Sequence, residues 1–108
     1  MSALPFQNPY RHGFVRAAVC IPPVHLADPD ANADAVIERA RDAHARHAAL
    51  ALFPELCLSG YSNDDLFHQS VLLDAALAAL RRVVDASREL TPLLLVGLPM
   101  AVEQRLFN

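Results

Sequence analysis

The 108-residue sequence contains no lysine and no tryptophan, and it has only three glycines and two cysteines. Its nine basic residues are therefore all arginines, and they are scattered along a chain whose formal net charge is −3. Nucleic-acid binding depends on clustered Lys and Arg side chains that neutralise phosphates. We therefore expect no nucleic-acid partner.

The other scarcities exclude further classes of site. Gly13, Gly60 and Gly97 are far apart, so there is no glycine-rich loop to cradle nucleotide phosphates, and we expect no cofactor in this segment. Cys20 and Cys57 are too few for a disulfide framework and are interpreted as reduced. No apolar run reaches the roughly 20 residues of a membrane span, and no signal peptide is recognisable. A cytoplasmic protein without a membrane partner is the expectation.

Apolar residues are abundant, at 54% of the chain, whereas charged residues make up 19%. This apolar content is enough for the core of one modest domain. The charged fraction is below the roughly one quarter that is usual for a soluble domain. We therefore expect another part of a protein to cover some of this surface.

Apolar runs and amphipathic segments alternate along the chain. Three runs predict buried strands, at residues 13–21, 50–53 and 93–99. Two segments between them predict helices, the first from Asp28 and Pro29 to about His47 and the second from Asp65 or Gln69 to Glu89. This order predicts an α/β fold with parallel strands and right-handed crossovers.

The periodicity also predicts which helix residues face the core. The first helix should bury Ala33, Val36, Ile37, Ala40 and Ala43, and the second Val71, Leu72, Ala75, Leu77, Leu80, Val83 and Val84. After the third strand, residues 100–105 are interpreted as a polar turn, and Leu106 with Phe107 as the start of a fourth strand.

Glu55 is the main catalytic candidate, within the segment LFPELCLSGY at residues 52–61. Pro54 cannot extend a sheet ladder, so Glu55 should lie just beyond the end of a strand. Ligands bind at the carboxyl ends of the strands in open α/β sheets, and a carboxylate there can act as a general base. The alternative is a glutamate that only caps a helix or lies in a loop.

The cysteines and histidines are weaker candidates. In an extended segment Cys57 would share a side with Glu55, but a buried cysteine is among the commonest core residues, so both cysteines are interpreted as packing residues. His44 and His47 have a spacing that can place two ligands on one metal. No third ligand is apparent, so we interpret both histidines as solvated and predict no metal site.

Several segments together resemble a known family. FPEL at 53–56, SGY at 59–61 and DDLF at 64–67 resemble the N-terminal glutaminase part of glutamine-dependent NAD synthetases, a branch of the nitrilase (carbon–nitrogen hydrolase) superfamily. HGFVRAAVC at 12–20, DPDAN at 28–32 and LLVGLP at 94–99 resemble the same family in the same order. The resemblance spans nearly the whole chain.

The resemblance implies a four-layer α-β-β-α sandwich and a catalytic Glu, Lys, Cys triad in which Glu55 matches the general base. In the family the cysteine attacks the side-chain amide of glutamine, a thioester forms and ammonia leaves. A separate synthetase domain then uses ATP and magnesium to amidate nicotinic acid adenine dinucleotide. Tyr61 matches a tyrosine near the glutamine pocket, with packing of its ring as the alternative.

The sequence departs from the family pattern, because it has no lysine and neither cysteine matches the nucleophile. We therefore expect an irregular lead-in at residues 1–12, followed at 13–108 by an incomplete N-terminal portion of a glutaminase domain, without the synthetase domain. Such a fragment should be inactive alone, with glutamine and the rest of a parent chain as partners and a homo-oligomer at full length. Two alternatives stay open: part of another nitrilase-like amidase, and a non-catalytic α/β module that binds a partner through its open sheet edge.

Overall fold

The computed structural model describes residues 4–60 and 69–108. The lead-in is more ordered than the sequence predicts, because a short 3-10 helix forms at Pro9–His12. The side chain of Asn8 accepts a hydrogen bond from the backbone N–H of Tyr10 at 2.9 Å, and Gly13 ends the helix with a φ of 80°. An asparagine cap, a proline at the first helical position and a glycine at the end therefore account for this turn.

The predicted order of strands and helices is confirmed, although the strands are shorter than the apolar runs. The elements are β1 (Ala17–Val19), α1 (Pro29–Ala45), β2 (Leu50–Leu52), α2 (Ser70–Ser87), β3 (Leu93–Leu95), β4 (Met100–Val102) and β5 (Arg105–Phe107). The predicted start of α1 is also confirmed, because the Asp28 carboxylate accepts a hydrogen bond from the Ala31 N–H at 3.2 Å. In the part of the chain that is described, no helix is both long and apolar enough to cross a membrane.

The first three strands form a parallel sheet in the order β1-β2-β3. Ala51, at the middle of β2, pairs with Ala18 of β1 and Leu94 of β3. Ala51 is fully buried, and both partners pack against the same core as α1 and α2. The next residue of each strand is exposed on the opposite face: Val19 by 74%, Leu52 by 44% and Leu95 by 45%. The described residues therefore form a helix layer on one face of a sheet whose other apolar face is open, which is half of the expected four-layer sandwich.

The predicted face of α1 is confirmed, but the predicted face of α2 is partly wrong. All five core residues expected on α1 are buried. On α2 the buried stripe is Leu72, Ala76, Ala79 and Val83, while Val71 is 77% exposed. Two of the four buried positions are alanines, so the buried face of α2 is not the face with the largest apolar side chains.

The last part of the chain also differs from the prediction of a polar turn at 100–105. Strands β4 and β5 pair antiparallel, with Met100 opposite Phe107 and Val102 opposite Arg105. The two residues between them, Glu103 and Gln104, have φ angles of 50° and 65°. Two positive φ angles match the twist of a hairpin, but neither residue is the Asn or Gly that usually signals such a turn.

Candidate active site

Glu55 lies where the sequence predicts it, immediately beyond the carboxyl end of β2. Phe53 is buried and its N–H donates to the Leu95 carbonyl at 3.0 Å, which extends the pairing with β3 by one residue. Pro54 follows and ends this pairing. The carboxylate of Glu55 is exposed, and its Oε1 accepts a hydrogen bond from the side-chain amide of Asn108.

The segment after Glu55 is a tight turn, so the condition of an extended segment, under which Cys57 would share a side with Glu55, is not met. Leu56 has a φ of 54°, in the left-handed region. Its carbonyl accepts hydrogen bonds from the N–H groups of Ser59 at 3.2 Å and Gly60 at 2.9 Å. Gly60 has a φ of 88°, which glycine adopts without steric cost, so this residue suits the end of the turn. We call residues 55–60 the glutamate turn.

Gly97 supports one side of the glutamate turn. A Cβ atom at Gly97 would lie 2.5 Å from the Leu56 backbone nitrogen and 3.3 Å from the Glu55 Cα. The Gly97 carbonyl accepts a hydrogen bond from the Leu58 N–H at 3.1 Å. The backbone beyond β3 therefore lies directly against the turn, and only glycine fits there. The sequence analysis assigns Gly97 no such role, although a glycine inside the predicted third strand was a usable signal for a close approach of backbone.

Asn32 supports the other side of the glutamate turn from the first turns of α1. Its side chain is 1% exposed, and its Nδ2 donates to the Leu58 carbonyl at 3.1 Å and to the His25 carbonyl at 2.8 Å. Its Oδ1 accepts from the His25 N–H at 2.6 Å. This buried amide therefore joins three segments. Sequence reasoning included Asn32 only in the DPDAN match and assigned it no role.

The interpretation of both cysteines as packing residues is confirmed. Cys57 is 1% exposed, its thiol contacts the Gly97 carbonyl at 3.6 Å, and Cys20 is also part of the core. Burial raises the pKa of both thiols. Because the thiolate is the nucleophilic form, neither environment favours nucleophilic attack.

A cleft of about 420 Å³ adjoins Glu55. It is lined by Leu56, Pro99, Leu106, Phe107 and Asn108. Leu56 follows Glu55 in the chain and Asn108 donates a hydrogen bond to it. The lining is therefore mostly apolar with one convergent amide, and the volume suits a small molecule.

Among the described residues, the histidine candidates do not join this site. Tyr61 lies outside the described residues. His44 is not simply solvated as predicted, because its Nδ1 lies 3.1 Å from both the backbone nitrogen and the hydroxyl of Thr91. The carbonyl of His47 accepts from the Tyr10 hydroxyl. Within residues 4–60 and 69–108, no group of three or more His, Cys, Asp or Glu side chains could hold a metal ion.

Comparison with known families agrees with this arrangement. A family model described as carbon-nitrogen hydrolase matches residues 16–108, which include Glu55 and both of its supports, Asn32 and Gly97. The chain belongs to the carbon-nitrogen hydrolase family.

Individual proteins and solved structures also resemble the chain. This chain is 48% identical over 103 residues to a glutamine-dependent NAD(+) synthetase from Mycobacterium tuberculosis. The matched region covers 95% of this chain and 15% of that protein. A glutamine-dependent NAD(+) synthetase from Cytophaga hutchinsonii superposes with a TM-score of 0.80 at 20% identity, over 87% of this chain and 16% of that one. At this identity the match shows the fold alone.

A third match is an amidase. The NitN amidase from Neterenkonia sp. AN1 superposes with a TM-score of 0.64 at 29% identity, over 80% of this chain and 33% of that one. The chain spans 15% of the length of the curated synthetases that it matches.

Proposed function

We propose that Glu55 is the general base of a glutaminase site that supplies ammonia to a glutamine-dependent NAD(+) synthetase. The observation that carries this proposal is the position of Glu55. Its carboxylate lies at the carboxyl end of β2, on a turn fixed by Gly97 and Asn32, and beside a cleft that Leu56 and Asn108 line. A carboxylate on a rigid turn beside a small cleft is suited to proton transfer.

In the proposed reaction a cysteine sulfur bonds to the side-chain amide carbon of glutamine, and Glu55 takes the thiol proton. The carbon–nitrogen bond then breaks, the nitrogen leaves with a proton as ammonia, and water cleaves the thioester to release glutamate. The nucleophilic cysteine and the lysine of the triad come from outside residues 1–108, because this sequence has no lysine and both of its cysteines are buried. ATP and magnesium act in a synthetase domain that is also outside these residues.

The finer expectations from the sequence belong to the same proposal. Residues 13–108 form an N-terminal portion of the glutaminase domain, and the parent enzyme is a cytoplasmic homo-oligomer. Support for the link to NAD synthetases is the 48% identity with the mycobacterial enzyme. The isolated chain should release no ammonia from glutamine, since it holds one triad member of three.

The central test is Glu55→Gln in the full-length parent enzyme. We expect glutamine-dependent ammonia release to fall about 10²- to 10⁴-fold, the usual contribution of a general base. NAD formation from added ammonia should be unchanged, because that step does not use this site. Glu89→Gln is the matched control, since Glu89 is exposed just beyond the end of α2. Full glutaminase activity in Glu55→Gln would show that the assignment of the base is wrong.

A second candidate is an amidase without a synthetase domain, which the match to the Neterenkonia amidase favours. The two proposals differ when the parent enzyme is incubated with glutamine, ATP, magnesium and nicotinic acid adenine dinucleotide. The synthetase forms NAD, whereas an amidase only hydrolyses amides. A non-catalytic binding module would do neither, and Glu55→Gln would leave its function unchanged.

A further inference from the structure

The amide of Asn108 is the one group among the described residues that forms a hydrogen bond with the Glu55 carboxylate. We propose that Asn108 is a positioning residue that orients Glu55 for proton transfer, an inference that rests on the proposed function. An ionised carboxylate only accepts hydrogen bonds, so the amide NH₂ must be the donor. The bond occupies Oε1 and leaves Oε2 for the proton of the nucleophile.

The fold brings Asn108 to Glu55 across 53 positions of sequence. Strand β4 starts at Met100, shortly after Gly97, whose backbone lies against the glutamate turn. Because Met100 pairs with Phe107, the antiparallel hairpin returns the chain so that Asn108 comes back beside this turn. A slip of one residue in this register would direct the Asn108 side chain to the opposite face.

The chemistry of an amide suits this place. The Glu55 side chain is exposed, so without a partner it would rotate among several rotamers. A hydrogen bond from a neutral donor selects one orientation, and an amide neither gains nor loses charge at neutral pH, so it does not compete with Glu55 for the transferred proton. Such orientation matters because small misplacements of a reacting group cost large factors in rate.

The surroundings of Asn108 favour a role in the site over a role in stability. Asn108 lines the same cleft as Leu56, Leu106 and Phe107, and its amide is the polar side-chain group of that lining. Both partners of the hydrogen bond are exposed. One hydrogen bond makes only a modest net contribution to stability, so removing this one should change activity far more than folding.

Three substitutions in the full-length parent enzyme test the inference, with glutamine-dependent ammonia release as the assay. Asn108→Leu removes the donor at nearly constant size, and we expect kcat to fall about tenfold with an almost unchanged KM, because orientation is lost without loss of binding. In Asn108→Asp the kcat should fall further, by about a hundredfold, because the substitution places a second carboxylate against Glu55. Asn108→Gln keeps the donor and should recover part of the activity that Asn108→Leu loses.

The dependence of activity on salt concentration distinguishes charge repulsion from a change in side-chain shape. Repulsion between two exposed carboxylates is screened by added salt, so Asn108→Asp should recover activity relative to wild type as the salt concentration rises, whereas Asn108→Leu should not. Gln69→Leu is the matched control, because Gln69 is an exposed amide whose side chain makes no capping hydrogen bond. It should have wild-type activity.

Each outcome has a definite meaning. Wild-type kcat in Asn108→Leu, together with an inactive Glu55→Gln, would overturn the positioning role alone. A raised KM with unchanged kcat would show that Asn108 binds substrate instead. Equal losses in the Leu and Asp variants, accompanied by equal losses of thermal stability, would show a purely structural role. Activity retained in Glu55→Gln would overturn the proposed function itself.

Discussion

Gly97→Ala should damage the candidate active site without changing any residue of the proposed chemistry. The added Cβ would lie 2.5 Å from the Leu56 nitrogen and 3.2 Å from the Glu55 carbonyl carbon. Both neighbours are backbone atoms, so no side-chain rotation can relieve the contact. The glutamate turn and the segment after β3 must therefore separate.

The size of the effect follows from these contacts. Overpacking of this kind costs about 1–3 kcal/mol. The hydrogen bond from the Leu58 N–H to the Gly97 carbonyl is weakened by the same separation, which adds about 1 kcal/mol. The total is a destabilisation of about 2–4 kcal/mol. A displacement of about 1 Å at Glu55 would lower glutaminase activity by about 10²-fold.

Hydrogen–deuterium exchange and ammonia release on the full-length parent enzyme measure both effects. Amides of the glutamate turn should exchange faster in Gly97→Ala. Gly13→Ala is the matched control, because a Cβ there meets no atom within 4 Å and only the φ of 80° is unfavourable. It should cost about 1–2 kcal/mol locally and leave the turn and the activity unchanged. Wild-type exchange and activity in Gly97→Ala would refute the packing argument.

Two further predictions concern the support of the glutamate turn and the buried thiols. Asn32→Leu removes hydrogen bonds to the His25 and Leu58 carbonyls, so it should destabilise the fold by about 2–4 kcal/mol. Amide hydrogen exchange in α1 and in the glutamate turn should become faster in this variant. Unchanged exchange would contradict the supporting role of Asn32. Since burial raises the pKa of Cys57, folding disfavours its thiolate. Iodoacetamide should therefore label the Cys57 thiol more slowly in folded than in urea-unfolded protein, and equal labelling rates would contradict the burial of Cys57. The free energy of unfolding should also decrease as the pH rises past the ordinary thiol pKa.

The sequence predicts the order of the elements and the place of Glu55 because both depend on local signals. Apolar runs bounded by proline or glycine indicate the strands, and Asp28 with Pro29 indicates the start of α1. Pro54 indicates where β2 must end. These signals act over a few residues, so tertiary contacts do not override them.

The supports of the site escape prediction because they depend on contacts between distant residues. The hydrogen bond from Asn108 to Glu55 requires the β4–β5 hairpin, whose turn residues Glu103 and Gln104 adopt positive φ without a glycine. The role of Gly97 appears only when the glutamate turn is placed against it. Periodicity also fails in part for α2, because the positions of the large apolar side chains do not reveal that two alanines lie on the buried face.

The open face of the sheet and the proposed triad both require a segment from outside residues 1–108. Strand β2 carries Glu55 at its carboxyl end and exposes Leu52 on the uncovered face, beside Val19 and Leu95. Covering these side chains removes apolar area from water and stabilises whatever binds there. Under the proposed function the lysine and the nucleophilic cysteine must reach Glu55 from outside these residues. We therefore expect the segment that covers this face to position the missing catalytic groups, so that completion of the fold and completion of the active site are one event.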